Sequence, residues 1–145
     1  MERVRLRREK LATRHWPLIT PPLLPMKINS YKDLIVWQKA MDLAEEVYRL
    51  SRAFPKEELY GLTSQLRRAV VSVPSNIAEG QARQGTAEFL NFLSIAQGSL
   101  AEVDTQLLLA QRFQYLTPET TIKAAGLIVE VSKMLASLRA KLAAG

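Results

Sequence analysis

Cysteine is absent from the 145 residues, which removes disulfides, thiolate zinc sites, iron–sulfur clusters and cysteine nucleophiles by inventory. Histidine occurs once, as His15 in a segment broken by Pro17, Pro21, Pro22 and Pro25, so no histidine-based triad can be assembled in a folded core. A di-iron bundle site needs inward Glu-x-x-His motifs, and there are none. Gly80 and Gly85 are not followed by the Lys-Ser/Thr pair that a phosphate-cradling loop requires. No run reaches the ~18 consecutive apolar residues that span a bilayer, so no membrane segment is expected. The Arg-rich start, interrupted by Arg14 and His15, makes a poor signal peptide, and a cytoplasmic location is expected. The remaining catalytic alternative is a carboxylate-and-metal nuclease using Glu79, Glu88, Glu102 or Asp104, since such a site needs only acidic side chains brought together. The chain is read as a non-catalytic protein without a cofactor or metal.

What is present is a helical pattern. Hydrophobic residues make up 48% and charged residues 23%, with both signs interspersed, the profile of a chain that folds around one core. The net charge of +6 is uneven. Arg3, Arg5, Arg7, Arg8, Lys10 and Arg14 lie in the first 25 residues, and the remainder is nearly balanced, so an acidic partner must be met by local patches or by the basic start. Residues 1–30 are read as a flexible, basic, Pro-rich extension, with Met26 opening a run that looks like a second natural start. Residues 31–145 form the domain.

Four helices are expected there. The first, capped by Asp33 and ending before Phe54-Pro55, has two apolar stripes: Leu34, Trp37, Met41, Ala44 and Tyr48, and Val36, Ala40, Leu43, Val47, Leu50 and Phe54. Two stripes exceed what one bundle core needs. Val36, Leu43 and Val47 are therefore assigned to a subunit interface. The second helix spans about 59–82 with Pro74 inside it, where a kink is expected. Beside its apolar face run Gln65, Arg68, Ser72, Asn76 and Glu79; Gln65, Ser72, Asn76 and Glu79 are read as a structural polar network that fixes register. Glu45-Glu46 and Glu57-Glu58 are read as solvated surface.

The third helix, capped by Thr86, carries Phe89, Leu93, Ala96, Leu100, Val103, Leu107 and Ala110 at strict four-three spacing. That spacing implies left-handed, near-antiparallel packing. The small residues around Gly98 suggest close approach of a neighbouring helix. Thr117-Pro118-Glu119 reads as the start of a fourth helix whose apolar face is Ile128, Val131, Leu135, Leu138 and Leu142. The fold class is all-α, a left-handed up-down-up-down four-helix bundle.

The run Tyr60-Gly61-Leu62-Thr63-Ser64-Gln65-Leu66-Arg67-Arg68-Ala69, followed by Ser72-Val73-Pro74-Ser75-Asn76-Ile77-Ala78-Glu79-Gly80, is more specific than periodicity. Together with Tyr31-Lys32-Asp33-Leu34, Val36-Trp37-Gln38-Lys39-Ala40, Glu88-Phe89-Leu90 and Ala96-Gln97-Gly98-Ser99-Leu100, it resembles the four-helix bundle proteins encoded in 23S rRNA intervening sequences. The resemblance implies a homopentameric barrel. It also implies kinship with the accessory variability proteins of diversity-generating retroelements, basic partners of a reverse transcriptase and its RNA. Arg67, Arg68, Arg83, Lys39 and Lys56 are the candidate phosphate contacts to RNA or DNA, with salt bridging as the alternative for Arg67 and Arg68. A scaffold that binds another protein and no nucleic acid is the competing function.

Overall fold

The computed structural model describes residues 30–145, which form four α-helices: α1 Ile35–Ser51, α2 Leu62–Ala82, α3 Thr86–Arg112 and α4 Ile122–Ala144. The expected extension at 1–30, with its basic arm and His15, lies outside the described residues except for Ser30. Each helix packs on its neighbours in sequence, and α1 closes the ring against α4. Short 3-10 turns at Tyr31–Asp33, Lys56–Glu58 and Glu119–Thr121 precede α1, α2 and α4. Connections this short leave consecutive helices antiparallel, and the result is an all-α four-helix bundle.

The caps differ from the sequence reading. Asp33 lies within the first 3-10 turn, whose N-cap is Ser30 accepting from the Lys32 amide; α1 itself starts at Ile35, with Leu34 at the cap and no side-chain cap bond. Thr86 is the first residue of α3, with Gly85 at the cap. Thr117 is not the cap of α4 either: Pro118 caps the 3-10 turn and Thr121 stands at the cap of α4, while the Thr117 Oγ1 accepts from the Thr120 amide at 3.2 Å in the turn ahead of them. After α2 and α3 the left-handed position that glycine usually fills is held by Gln84 (φ 62°) and Gln114 (φ 65°), which bond back into the last turn.

The core corrects the reading of α1. Leu43 and Val47 are 0% exposed and Val36 is 5% exposed within the single chain, so these three belong to the bundle interior and not to a subunit interface. The stripe that turns outward is the other one, with Met41 and Tyr48 exposed and Trp37 half-buried against Tyr31 at a centroid distance of 5.4 Å. Both stripes have valid helical spacing; burial follows the one opposite α2 and α4. The four-three run of α3 is buried from Leu93 to Ala110, with Phe89 half-buried at its start.

Two glycines exchange roles. Gly98 was expected at a close helix approach, but a Cβ there would meet nothing within 4 Å. The tight contact is at Gly80, where a Cβ would lie 2.7 Å from Phe92 Cβ and 3.0 Å from Phe89 Cδ1. Gly80 is what lets the end of α2 rest on the start of α3.

Glu46 is a further correction. Read as solvated, it is 4% exposed, paired with Arg49 on the same helix and with Lys123 of α4 at 3.6 Å. Burial of a carboxylate demands such partners, and Lys123 links α1 to α4 through it.

The outer face of α4 is unusual for a chain of this charge content. Ile122, Gly126, Val129, Lys133, Ala136 and Ala140 recur at four-three spacing and all face solvent. That is a second heptad stripe, small and apolar except at Lys133. α3 has a more polar counterpart in Ile95, Gly98, Glu102, Thr105, Leu109 and Arg112.

Candidate nucleic-acid interface

Arg67 and Arg68 are consecutive on α2 and so point about 100° apart around the helix, yet both line one groove between α1 and α2. Its volume is about 520 Å³, and Tyr48, Thr63, Ser64 and Ser72 complete its polar lining. Leu59 and Val71 supply apolar wall, and no lining residue is acidic.

Arg67 is held in place. Its Nε donates to Ser51 Oγ at 2.9 Å and its guanidinium lies over the Tyr48 ring, 4.7 Å from the centroid. Ser51 is 2% exposed, and its hydroxyl donates to the Tyr48 carbonyl at 3.0 Å, so its lone pairs face Arg67. Within the chain Arg67 makes no salt bridge among the described residues, and a hydroxyl and an aromatic face hold it. Arg68 is exposed and makes no ion pair among the described residues.

The other three candidates lie elsewhere. Arg83 pairs with Glu79 at 2.9 Å and Glu88 at 3.9 Å, and stacks over Phe92 at 5.2 Å. The hydrogen bond that Arg83 donates to Glu79, reinforced by the carboxylate charge, raises the Arg83 pKa above the ordinary arginine value. Two carboxylates already occupy this guanidinium, so a phosphate there must compete. Lys39 bridges to Glu130 of α4 at 3.3 Å. Lys56 is exposed in the turn before α2 and makes no ion pair among the described residues. Only Arg67 and Arg68 share a site.

The polar stripe of α2 divides. Ser72 Oγ lies 2.8 Å from Ser99 Oγ of α3, and Asn76 Nδ2 donates to the Ser72 carbonyl at 2.7 Å and to its hydroxyl at 2.8 Å. The Ser72–Ser99 bond links α2 to α3 next to Pro74, and Asn76 closes the cluster on α2. Gln65 and Glu79 fall outside it: both are exposed, and Glu79 is engaged by Arg83. Gln65, Arg68, Ser72, Ser99, Glu102 and Gln106 line a second groove of about 290 Å³ between α2 and α3. Ser99 was passed over in the sequence as one of several small residues. Ser51 and Tyr48 lie three apart on α1, a spacing that hinted at a shared face and at nothing more.

Among the described residues no group of three acidic or histidine side chains converges as a metal site would require. No helix among them is long and apolar enough to cross a membrane.

Comparison with known proteins gives a family and relatives of known structure. A crystal structure of a protein of unknown function from the S23 ribosomal protein family of Bacteroides thetaiotaomicron superimposes with a TM-score of 0.67 at 26% identity, covering 72% of this chain and 98% of that one. No curated protein sequence matches. The family described as 23S rRNA-intervening sequence protein matches over residues 32–137, which takes in all of α1, α2 and α3 and most of α4. On that span and that order of helices, the chain belongs to the 23S rRNA-intervening sequence protein family.

Proposed function

We propose that this protein is a non-catalytic homo-oligomer that binds nucleic acid through phosphate contacts at the α1–α2 groove. The observation that carries the reading is the pairing of Arg67 and Arg68 in a groove without a carboxylate, on a domain whose other basic candidates, Lys56 excepted, are already ion-paired. Arginine forks suit phosphate oxygens, and a lining without acids leaves their charge for a ligand. RNA is the favoured partner, consistent with the family's name, and a reverse transcriptase of the retroelement kind is a protein with which such a complex would act.

The second heptad stripe on α4 supports assembly. A second copy of this chain covering Ile122, Val129 and their neighbours removes apolar surface from water, and the family resemblance makes a pentamer the expected state. Repetition of one modest groove around a ring then supplies avidity that a single copy lacks. The competing scaffold function uses the same apolar stripe for a different protein.

Light scattering combined with filter binding to a structured RNA at several salt concentrations tests both parts. The expected result is a multiple of the 16.3 kDa chain mass, with binding that weakens steeply with salt and is lost on Arg68→Glu. A monomer at micromolar concentration rejects the assembly, and absence of RNA binding at low salt favours the scaffold.

A further inference from the structure

The α1–α2 groove shows more than a patch of positive charge, because one of its two arginines is already oriented without a ligand. A guanidinium has five N–H donors in a rigid plane, and in Arg67 the Nε donor is committed to Ser51. Ser51 is buried, and its hydroxyl donates a hydrogen bond to the Tyr48 carbonyl, so the acceptor direction offered to Nε is set by the α1 backbone. The Tyr48 ring supplies the second contact, with the guanidinium carbon over it at 4.7 Å from the centroid. What remains is the outer edge with Nη1 and Nη2, which makes no hydrogen bond to the described residues. That edge is a two-donor fork of the width that two phosphate oxygens match.

The surroundings suit the same ligand. Arg68 adds a second positive charge, Ser64 a hydroxyl, and Leu59 with Val71 an apolar wall beside them. A volume of about 520 Å³ falls within the range of about 300–1,000 Å³ typical of small-ligand sites, larger than a bare anion needs. We propose that this groove is a preformed phosphate-group site sized for one nucleotide unit, with Ser51 and Tyr48 as positioning residues that aim the Arg67 fork. The proposal rests on the nucleic-acid reading for its choice of nucleotide and deepens it. The nucleotide is either free or part of a strand; the phosphate chemistry is shared.

Side-chain nitrogen NMR of the arginine Nε–H groups provides the test. The full-length protein is titrated with inorganic phosphate, with adenosine 5′-monophosphate, and with a single-stranded RNA 12-mer. A saturable shift of the Arg67 signal with the monophosphate is expected, stronger than with inorganic phosphate. Ser51→Ala and Tyr48→Leu should each weaken the monophosphate by roughly tenfold without changing the charge, and so leave the salt slope of RNA binding unaltered. Tyr48→Phe keeps the ring and should bind as the parent does. Arg67→Lys keeps the charge but loses the fork, and should lose more than Ser51→Ala. Circular dichroism melts confirm that each variant is folded, and the parent titration stands by itself if one is not.

The proposal is overturned if the Arg67 signal does not shift saturably, or if folded Ser51→Ala and Arg67→Lys bind the monophosphate like the parent. RNA binding that depends on Arg68 but ignores Ser51 and Tyr48 sinks this inference and leaves the nucleic-acid reading standing. Saturable monophosphate binding with no affinity for the 12-mer upholds the site, assigns it to a free nucleotide and rejects the reading of a strand binder.

Discussion

The outer surface of the α1–α2 pair and the outer surface of α4 are built on opposite principles. On α1 and α2 the exposed positions include Gln38, Asp42, Glu45, Gln65, Arg68 and Glu79, and the arginines that are not in ion pairs converge on one groove. On α4 the exposed stripe is Ile122, Gly126, Val129, Lys133, Ala136 and Ala140. α1 also exposes Met41 and Tyr48 and α2 exposes Val71, but these stand among charged and amide side chains, whereas the outer stripe of α4 is interrupted only by Lys133, so that α4 is apolar on two sides. A helix apolar on two sides is suited to two packing partners, of which the chain itself supplies one. On the proposed reading the difference separates recognition from assembly: the first pair would carry the phosphate contacts, and α4 the surface that a neighbouring copy would hide.

The strongest way to break this division is a charge placed on each side of it. Leu43→Asp puts a carboxylate into a fully buried site and should cost more than about 4 kcal/mol, abolishing the cooperative melt. Val129→Asp sits on an exposed stripe, and should leave the melt of the folded chain within about 1 kcal/mol while lowering the mass seen by light scattering. A Val129→Asp protein that keeps its parent mass would remove α4 from the assembly surface.

The glycines sharpen the comparison at intermediate size. Gly80→Ala forces a Cβ against Phe92 and Phe89 and should destabilise by about 1–3 kcal/mol. Gly98→Ala meets open space within the chain and should stabilise the isolated bundle by about 0.5–1 kcal/mol through helix propensity. Thermal melts of both variants measure the contrast; a Gly98→Ala that loosens the assembly instead would show that α3 also packs against a neighbouring copy.

A third contrast, ending on the smallest effect, lies along the polar stripe. Ser99→Ala removes a buried partner of Ser72 and should cost about 1–2 kcal/mol, while Gln65→Ala should stay within about 0.5 kcal/mol because its side chain is exposed. Denaturant melts resolve the pair. Equal costs at both positions would contradict a register role for Ser72, Asn76 and Ser99.

The number of helices, their order and the core face of α3 were legible in the sequence, because hydrophobic period and turn chemistry are properties of the chain read locally. The stretch from Leu93 to Ala110 is buried as its four-three spacing requires. Arg67 and Arg68 were legible as residues of interest, though not as members of one groove. What only the tertiary structure decided was direction. Val36, Leu43 and Val47 and the stripe beside them have equally good helical spacing, and which one turns inward depends on where α2 and α4 lie. The same holds for Glu46, whose burial depends on Lys123 arriving from α4, and for Arg67, whose orientation depends on Ser51 and Tyr48 across a helix boundary. Periodicity sets which residues share a face; only the neighbouring helices set what that face meets, because desolvation and hydrogen-bond geometry act between elements that are far apart in the chain.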